Sequence, residues 1–290
     1  LPEAIAAYAR VLDYPKSPYY DEALYKLAWT YYRNDQYTQA IRRFRELIEF
    51  SDDRKKRTGQ AGSELRSEAI LYLAISLQEE DWDGDGEPDP DSGFQRVLRN
   101  VQGDRSYDVE ILRALAGIFF DNAKYDETVA TIRHLLKTFP TNEENPKLHA
   151  QMVTAYERLQ RIEDAFAERD NLASAYSEGT EWYAANQNRP KVLRQADELM
   201  EDALIQAATF HHAEAQRLKE RIAEDPSVEE KAISLYRQAA SAYEKYLEQY
   251  PNSENTYDLN FFYAECLYYS FQFASAAEQY GVVRDSTMGK

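Results

Sequence analysis

Carboxylates at alternate positions carry the clearest chemistry in the chain. Residues 79–91 read Glu-Glu-Asp-Trp-Asp-Gly-Asp-Gly-Glu-Pro-Asp-Pro-Asp, so Asp81, Asp83, Asp85, Glu87, Asp89 and Asp91 can bring hard oxygens to one cation. Calcium takes about six to eight such oxygens and accepts loose geometry, and a glycine such as Gly86 permits the sharp turn the loop needs. Ca2+ is therefore the expected ion, in a weak structural role. The other reactive side chains form no such set. The four histidines are His134, His149, His211 and His212. His211 and His212 are neighbours and point about 100° apart on a helix. Glu214 could join His211, but no third ligand accompanies them, and a plain helix surface is the better reading. His134 and His149 read as packing or surface residues of helices. Cys266 is the only cysteine and lies in the apolar run Phe261-Phe262-Tyr263-Ala264-Glu265-Cys266-Leu267, the setting of a buried small hydrophobe. His-Glu-x-x-His, Cys-x-x-Cys, Gly-x-Ser-x-Gly and a glycine-rich phosphate loop are all missing from the sequence. No catalytic residue is assigned, and the chain reads as a non-enzyme.

The elements that position these groups are helical. Gly and Pro number only 10 each in 290 residues, and both interrupt helices. Hydrophobic residues make up 43%, enough for a core. Lys and Arg total 34 against 51 Asp and Glu, a formal charge of −17 that repels phosphate backbones, so nucleic acid is not an expected partner. No run approaches about 18 consecutive apolar residues, so no transmembrane segment is expected. The chain opens in mid-pattern, with Ala4, Ile5, Tyr8 and Val11 already forming a stripe, and reads as a segment of a longer protein.

Internal repetition organises the rest. One unit runs Ala23, Leu24, Leu27, Ala28, Tyr31, then the turn Asn34-Asp35-Gln36, then Tyr37, Ala40, Phe44 and Leu47. The same offsets recur in Ile111, Leu115, Ala116, Phe119, Ala123, Tyr125, Thr128, Ile132 and Leu135. They recur again in Leu148, Met152, Val153, Tyr156, Gln160, Ile162, Ala165 and Leu172. The last copy is Leu259, Tyr263, Ala264, Leu267, Phe271, Phe273, Ala276, Tyr280 and Val283. Two units are degenerate. Ala69, Leu73, Ala74 and Leu77 form a first helix whose partner waits until about Phe94–Leu98. Ala239, Tyr243 and Tyr246 form a second helix whose partner, roughly Pro190 to Arg221, is overlong. Ser227 reads as the N-cap ahead of Glu229 and Glu230. Arg54-Lys55-Lys56-Arg57 falls in an expected solvated loop over residues 51–64.

These offsets resemble the tetratricopeptide repeat, a helix–turn–helix unit of 34 residues. The resemblance implies an all-α fold, an α–α superhelix of about six irregular hairpins. Residues 1–290 then read as a single solenoid segment with an inserted acidic loop at 78–93 and an irregular linker with extended helix at 177–226. It also implies that the first helix of each pair faces a concave groove that binds a protein or peptide. The groove residues it picks out are Tyr25, Trp29, Tyr32 and Arg33, then Arg113 and Phe120, then Phe261, Glu265, Tyr268 and Tyr269. The Lys and Asn residues of the carboxylate clamp found in chaperone-type members are missing from these positions, so an acidic C-terminal peptide does not fit. Aromatic and acidic walls suit apolar anchors with some basic character. The loop at 81–91 resembles the opening of an EF-hand, with Ser92 in place of the closing bidentate Glu, and still more the calcium repeats of thrombospondin type 3 and dockerin modules. Such a site belongs to the weak class, with dissociation constants of roughly 10⁻⁴ to 10⁻³ M.

The closings Tyr250-Pro251-Asn252-Ser253 and Phe139-Pro140-Thr141-Asn142 resemble those of periplasmic tetratricopeptide proteins. Together with a weak calcium loop they imply a scaffold of the bacterial cell envelope. The alternatives are a cytoplasmic adaptor or regulator and the interaction arm of a larger enzyme. Oligomeric state is not legible.

Overall fold

A computed structural model describes residues 2–60, 62–82, 85–90, 93–253 and 255–286. The described residues form helices and turns, with no strand among them. The chain divides into two compact units, Leu1–Pro140 and Thr141–Lys290.

The first unit contains α1 (Pro2–Val11), α2 (Tyr20–Tyr32), α3 (Tyr37–Thr58), α4 (Arg66–Gln78), α5 (Gly93–Asn100), α6 (Asp108–Asp121) and α7 (Tyr125–Thr138). Chain neighbours pack as antiparallel pairs: α2 on α3, α6 on α7, and the degenerate α4 on the short α5. Successive pairs join where α4 packs on both α3 and α6. The second unit contains α8 (Asn145–Arg158), α9 (Ile162–Ala175), α10 (Glu181–Asn186), α11 (Pro190–Arg221), α12 (Glu229–Gln249), α13 (Thr256–Tyr269) and α14 (Phe273–Asp285). There α8 pairs with α9, α11 with α12, and α13 with α14.

One turn recurs in all four regular copies. Asp35, Ala123, Gln160 and Phe271 have φ between 54° and 65°, each two residues before its second helix. In each copy the next residue donates its N–H to a carbonyl five residues back: Gln36 to Tyr31 at 3.0 Å, Lys124 to Phe119 at 2.8 Å, Arg161 to Tyr156 at 3.0 Å and Gln272 to Leu267 at 2.9 Å. This is the Schellman ending, which satisfies carbonyls that the last helical turn would leave unpaired. Left-handed backbone costs a non-glycine residue about 1–2 kcal/mol. Its recurrence at one offset shows that the hydrogen bonds outweigh that cost and fix the hairpin geometry.

The apolar stripes then close between helices. In the first unit Leu24, Leu27, Phe44, Leu47, Leu73, Ile111 and Leu115 are fully buried. In the second unit α11 packs on α12, α9 and α8, and its buried residues include Ala196, Ala203, Ala207, Ala208 and Ala215, as those of α12 include Ala232, Ala239 and Ala240. The 32-residue α11 runs as one helix. Residues 177–189 are tied to the start of the unit by side chains. The Trp182 indole donates to the Asn142 carbonyl at 2.7 Å and Asn186 donates to the Thr141 carbonyl at 3.0 Å.

Two local expectations are corrected. Residues 51–58 are helix, not loop, because α3 continues to Thr58 and ends at Gly59 with φ 69°. Lys55, Lys56 and Arg57 occupy its last turn, where cations complement the helix dipole, and Arg57 pairs with Asp53 at 2.7 Å. The apolar stripe ends near Phe50, so hydrophobic periodicity alone missed this extension. Nor is Ser227 the cap of α12. The Asp225 carboxylate accepts both the Ser227 N–H at 3.1 Å and its hydroxyl at 2.6 Å, closing a 3-10 turn at Pro226–Val228.

Arg66 ties three helices together. Its guanidinium grips Asp52 of α3 at 2.6 and 3.0 Å and Glu110 of α6 at 2.8 Å through two nitrogens. Both forks are bidentate and about three-quarters shielded from solvent. Arg66→Ala is expected to cost about 2 kcal/mol, between a surface pair and a buried one, because it strands two carboxylates. Arg66→Lys should recover only part, since an ammonium cannot serve both forks. Urea unfolding of the two variants checks this; equal loss in both would discount the geometry of the fork.

Candidate partner-binding surface

The sequence-derived groove residues occupy equivalent places in three hairpins, but the structure treats them differently. At the position of Tyr32, Phe120 and Tyr268, each ring packs edge-on against the first residue of its second helix. The ring centroids are 5.8 Å apart for Tyr32–Tyr37, 5.5 Å for Phe120–Tyr125 and 5.4 Å for Tyr268–Phe273. These aromatics therefore clasp their own hairpin as well as lining its surface. In the third regular copy Glu157 and Ile162 take these places, and Glu157 pairs with Arg169 instead.

In the first hairpin the clasp is covered further. Tyr32 also meets Tyr72 of α4 at 5.5 Å. Tyr25 is only 8% exposed and lies against Phe44 at 6.3 Å. Burial, reinforced by the Glu68 carboxylate that accepts from its hydroxyl, pushes the Tyr25 phenol well above its ordinary range. Tyr25 is thus a packing residue here, because α4 lies over it. Trp29 is half-buried, with the Arg33 guanidinium 5.0 Å above its ring. In the middle hairpin Arg113 is exposed and Phe120 half-buried.

The last hairpin is open. Phe261 is 40% exposed and Tyr268 49%, seven residues apart on one face of α13. Phe271 at 58% and Phe273 at 53% continue the patch across the turn. Phe271–Phe273 and Tyr268–Phe273 ring contacts at 5.9 and 5.4 Å hold Tyr268, Phe271 and Phe273 as one cluster, while Phe261 packs on Phe262 at 6.1 Å and Tyr280 at 6.0 Å. Glu265 lies between Phe261 and Tyr268 along the helix, half-buried, and burial raises its carboxyl above the usual range while Lys219 opposes the shift. Lys219 itself sits with its ammonium 3.4 Å over the Tyr269 ring. The sequence reading placed Phe271 and Phe273 among repeat positions and missed their exposure. A signal was present: Phe271 fills the left-handed turn where the other copies have Asp35, Ala123 and Gln160. A bulky ring is costly there.

The acidic loop is a short hairpin closed by its own backbone. Asp89 donates its N–H to the Glu80 carbonyl at 2.8 Å, and Gly93 donates to Glu79 at 3.2 Å. Asp81 accepts from the Gly86 N–H at 2.9 Å, Asp89 from the Trp82 N–H at 2.5 Å, and Asp85 from the Glu87 N–H at 2.8 Å. Asp83 and Asp91 lie outside the described residues. Among the described residues no three His, Cys, Asp or Glu side chains stand together as a metal-binding group.

The remaining reactive groups serve packing. His149 bridges the Tyr176 hydroxyl at 3.1 Å and Glu168 at 3.2 Å, and His134 meets the Val101 carbonyl at 2.8 Å. His212 faces the Tyr243 hydroxyl at 3.3 Å, and burial lowers its pKa. Glu214 pairs with Arg217 at 2.7 Å rather than with His211. Cys266 is buried, and burial pushes its thiol up, away from nucleophilic use. No helix among the described residues is long and apolar enough to cross a membrane.

The family model of the tetratricopeptide repeat matches residues 22–50, which span α2 and most of α3, and residues 230–253, which span α12 and the turn after it. No curated protein matches the chain.

Proposed function

Because this chain carries tetratricopeptide repeats, we propose that it is a non-catalytic scaffold that captures a protein partner through the aromatic face of its last hairpin. One observation carries the reading: Tyr268, Phe271 and Phe273 form a ring cluster, with Phe261 exposed two turns away on the same helix, and no neighbouring helix among the described residues covers them. Aromatics supply large contact area at low entropic cost and dominate interface energetics. Asp258, Glu265 and Glu278 stand on the same two helices, and the chain is strongly acidic, so the occupant has apolar anchors and basic flanks. In the first unit, taken by itself, Trp29, Tyr32 and Arg33, with Arg113 and Phe120, are the proposed contact residues. Selection from a random peptide library tests it. Enriched peptides should carry two large apolar residues and net positive charge. Enrichment of acidic peptides would overturn the proposal.

The finer setting is a bacterial envelope scaffold, favoured by the aromatic-Pro closings and by a loop suited to abundant calcium. In that loop Asp81, Asp83, Asp85, Glu87, Asp89 and Asp91 would hold Ca2+. The donors fit in kind, all being carboxylates. The ion would order the loop and take no part in chemistry. Millimolar calcium is expected to raise the melting temperature by a few degrees, since ligand at about ten times its dissociation constant adds about 1.4 kcal/mol. Asp83→Ala with Asp85→Ala should abolish the gain. A gain that persists in the double variant would place the ion elsewhere.

A further inference from the structure

Two buried histidines of the second unit are built in opposite ways. His149 of α8 meets the Tyr176 hydroxyl at 3.1 Å through Nδ1 and the Glu168 carboxylate at 3.2 Å through Nε2, so an acid stands beside the ring should it take up a proton. His212 of α11 has no such acid. Only 5% exposed, it faces the Tyr243 hydroxyl at 3.3 Å through Nδ1 and the Gln216 amide nitrogen at 3.1 Å through Nε2. An amide nitrogen donates and does not accept, so Nε2 is the acceptor and the neutral ring carries its proton on Nδ1. The rings of Tyr236 and Tyr243 of α12 and of Phe262 of α13 meet it edge-on, with centroids 5.9, 5.9 and 5.7 Å away.

None of the described carboxylates pairs with His212. The titratable groups that face it from α12 are the two phenols, and burial pushes both above the ordinary range. The Tyr236 hydroxyl is buried and has no hydrogen-bond partner among the described residues. From α13, Glu265 and Cys266 bear on both phenols, and Lys219 of α11 opposes the rise in the Glu265 carboxyl. Further along α11, Glu220 bears on Tyr236, while Asp170 of α9 bears on the neighbouring His211. Burial by itself lowers the pKa of His212.

The same ring helps to seat the last hairpin. Ala276 is the one buried residue described on α14, so the hairpin is held through α13, which packs on α12. Phe262 makes the joint from α13, touching both His212 at 5.7 Å and Tyr243 at 6.3 Å. We propose that His212 is a proton-operated latch, whose protonation loosens α13 and α14 from the α11–α12 pair. A second proton lands on Nε2, where Gln216 must turn its amide over to present its oxygen. The new charge is then held in a buried joint with no paired anion, which is costly. Parting α13 from the pair admits water to the ring and to the stranded Tyr236 hydroxyl. The docked form disfavours the proton on His212, so docking is at full strength above about pH 6.5, the ordinary histidine value, and weakens as the pH falls below it. Glu265 works the other way, because burial raises its carboxyl and the docked form holds that proton more tightly.

Hydrogen exchange of the whole chain between about pH 7.5 and about pH 5.5, expressed as protection corrected for the intrinsic rate of each amide, tests the latch. Protection in α13 and α14 should fall below about pH 6.5 by up to about tenfold per pH unit, the slope of one proton taken up on opening. Protection in α8 and α9, where His149 has Glu168, should hold. His212→Gln removes the proton site and should flatten or reverse the slope, leaving the opposing share of Glu265. His211→Gln alters the neighbouring ring and should keep the slope. Gln216→Glu offers Nε2 the carboxylate that His149 already has, at an exposed position that the fold should bear. In that variant α13 should gain protection on acidification. A slope that survives His212→Gln would overturn the latch, as would an equal loss in α8 and α9, which would mean unfolding of the whole unit. Should His212→Gln fail to fold, Gln216→Glu decides alone: an acid loss unchanged from the parent chain would overturn the proposal.

Discussion

Phe44→Ala should cost the first unit about 3–5 kcal/mol, the range for removing a fully buried aromatic ring. Phe44 has no exposed surface and joins three helices. It stacks nearly parallel to Tyr72 of α4 at 5.9 Å and meets the edge of Tyr25 of α2 at 6.3 Å. Its removal leaves a hole that Tyr72 cannot fill without giving up its edge contact to Tyr32. Since domains are stable by only about 5–15 kcal/mol, the variant should sit near the limit of folding. Hydrogen exchange reads the effect locally: protection in α2, α3 and α4 should fall by two to three orders of magnitude, roughly 1.4 kcal/mol for each. A loss under about 1 kcal/mol would mean that the neighbouring rings close the hole, and that the Phe44 layer packs loosely.

What the sequence disclosed and what it hid follow from the range of each interaction. Hairpin turns were legible, because a Schellman ending depends on six consecutive residues, as at Tyr31 to Gln36. The helical stripes were legible for the same reason. The end of α3 was not, because its last two turns are held by Asp53–Arg57, by the dipole and by Arg66 reaching back to Asp52, none of which leaves an apolar period. Groove positions were legible as places in a repeat but not in their exposure. Tyr25 and Phe261 hold the same place in the pattern; α4 covers the first, and no described helix covers the second.

Phe261→Ala with Tyr268→Ala should produce the largest change in partner affinity. Each exposed aromatic that anchors a partner is worth about 2 kcal/mol or more when truncated, close to thirtyfold, and two neighbouring anchors lose somewhat less than the product of both. A drop of about two orders of magnitude is therefore expected for a library-selected peptide, measured by fluorescence anisotropy. The fold should tolerate the change, since both rings are nearly half exposed and the buried side of α13 is carried by Leu259, Ala264, Cys266 and Leu267. The clasp complicates the second ring: Tyr268 also packs on Phe273, so its loss could loosen the hairpin as well as the contact. Tyr268→Phe separates the two roles. It keeps the ring and the clasp, and should retain affinity within about threefold unless the hydroxyl itself is bonded by the partner. Trp29→Ala with Tyr32→Ala should cost less, because Tyr32 is already occupied by Tyr37 and Tyr72. Were that pair to cost more than the pair on α13, the binding face would move to the first hairpin. The exposure of Phe271 and Phe273 would then need another cause.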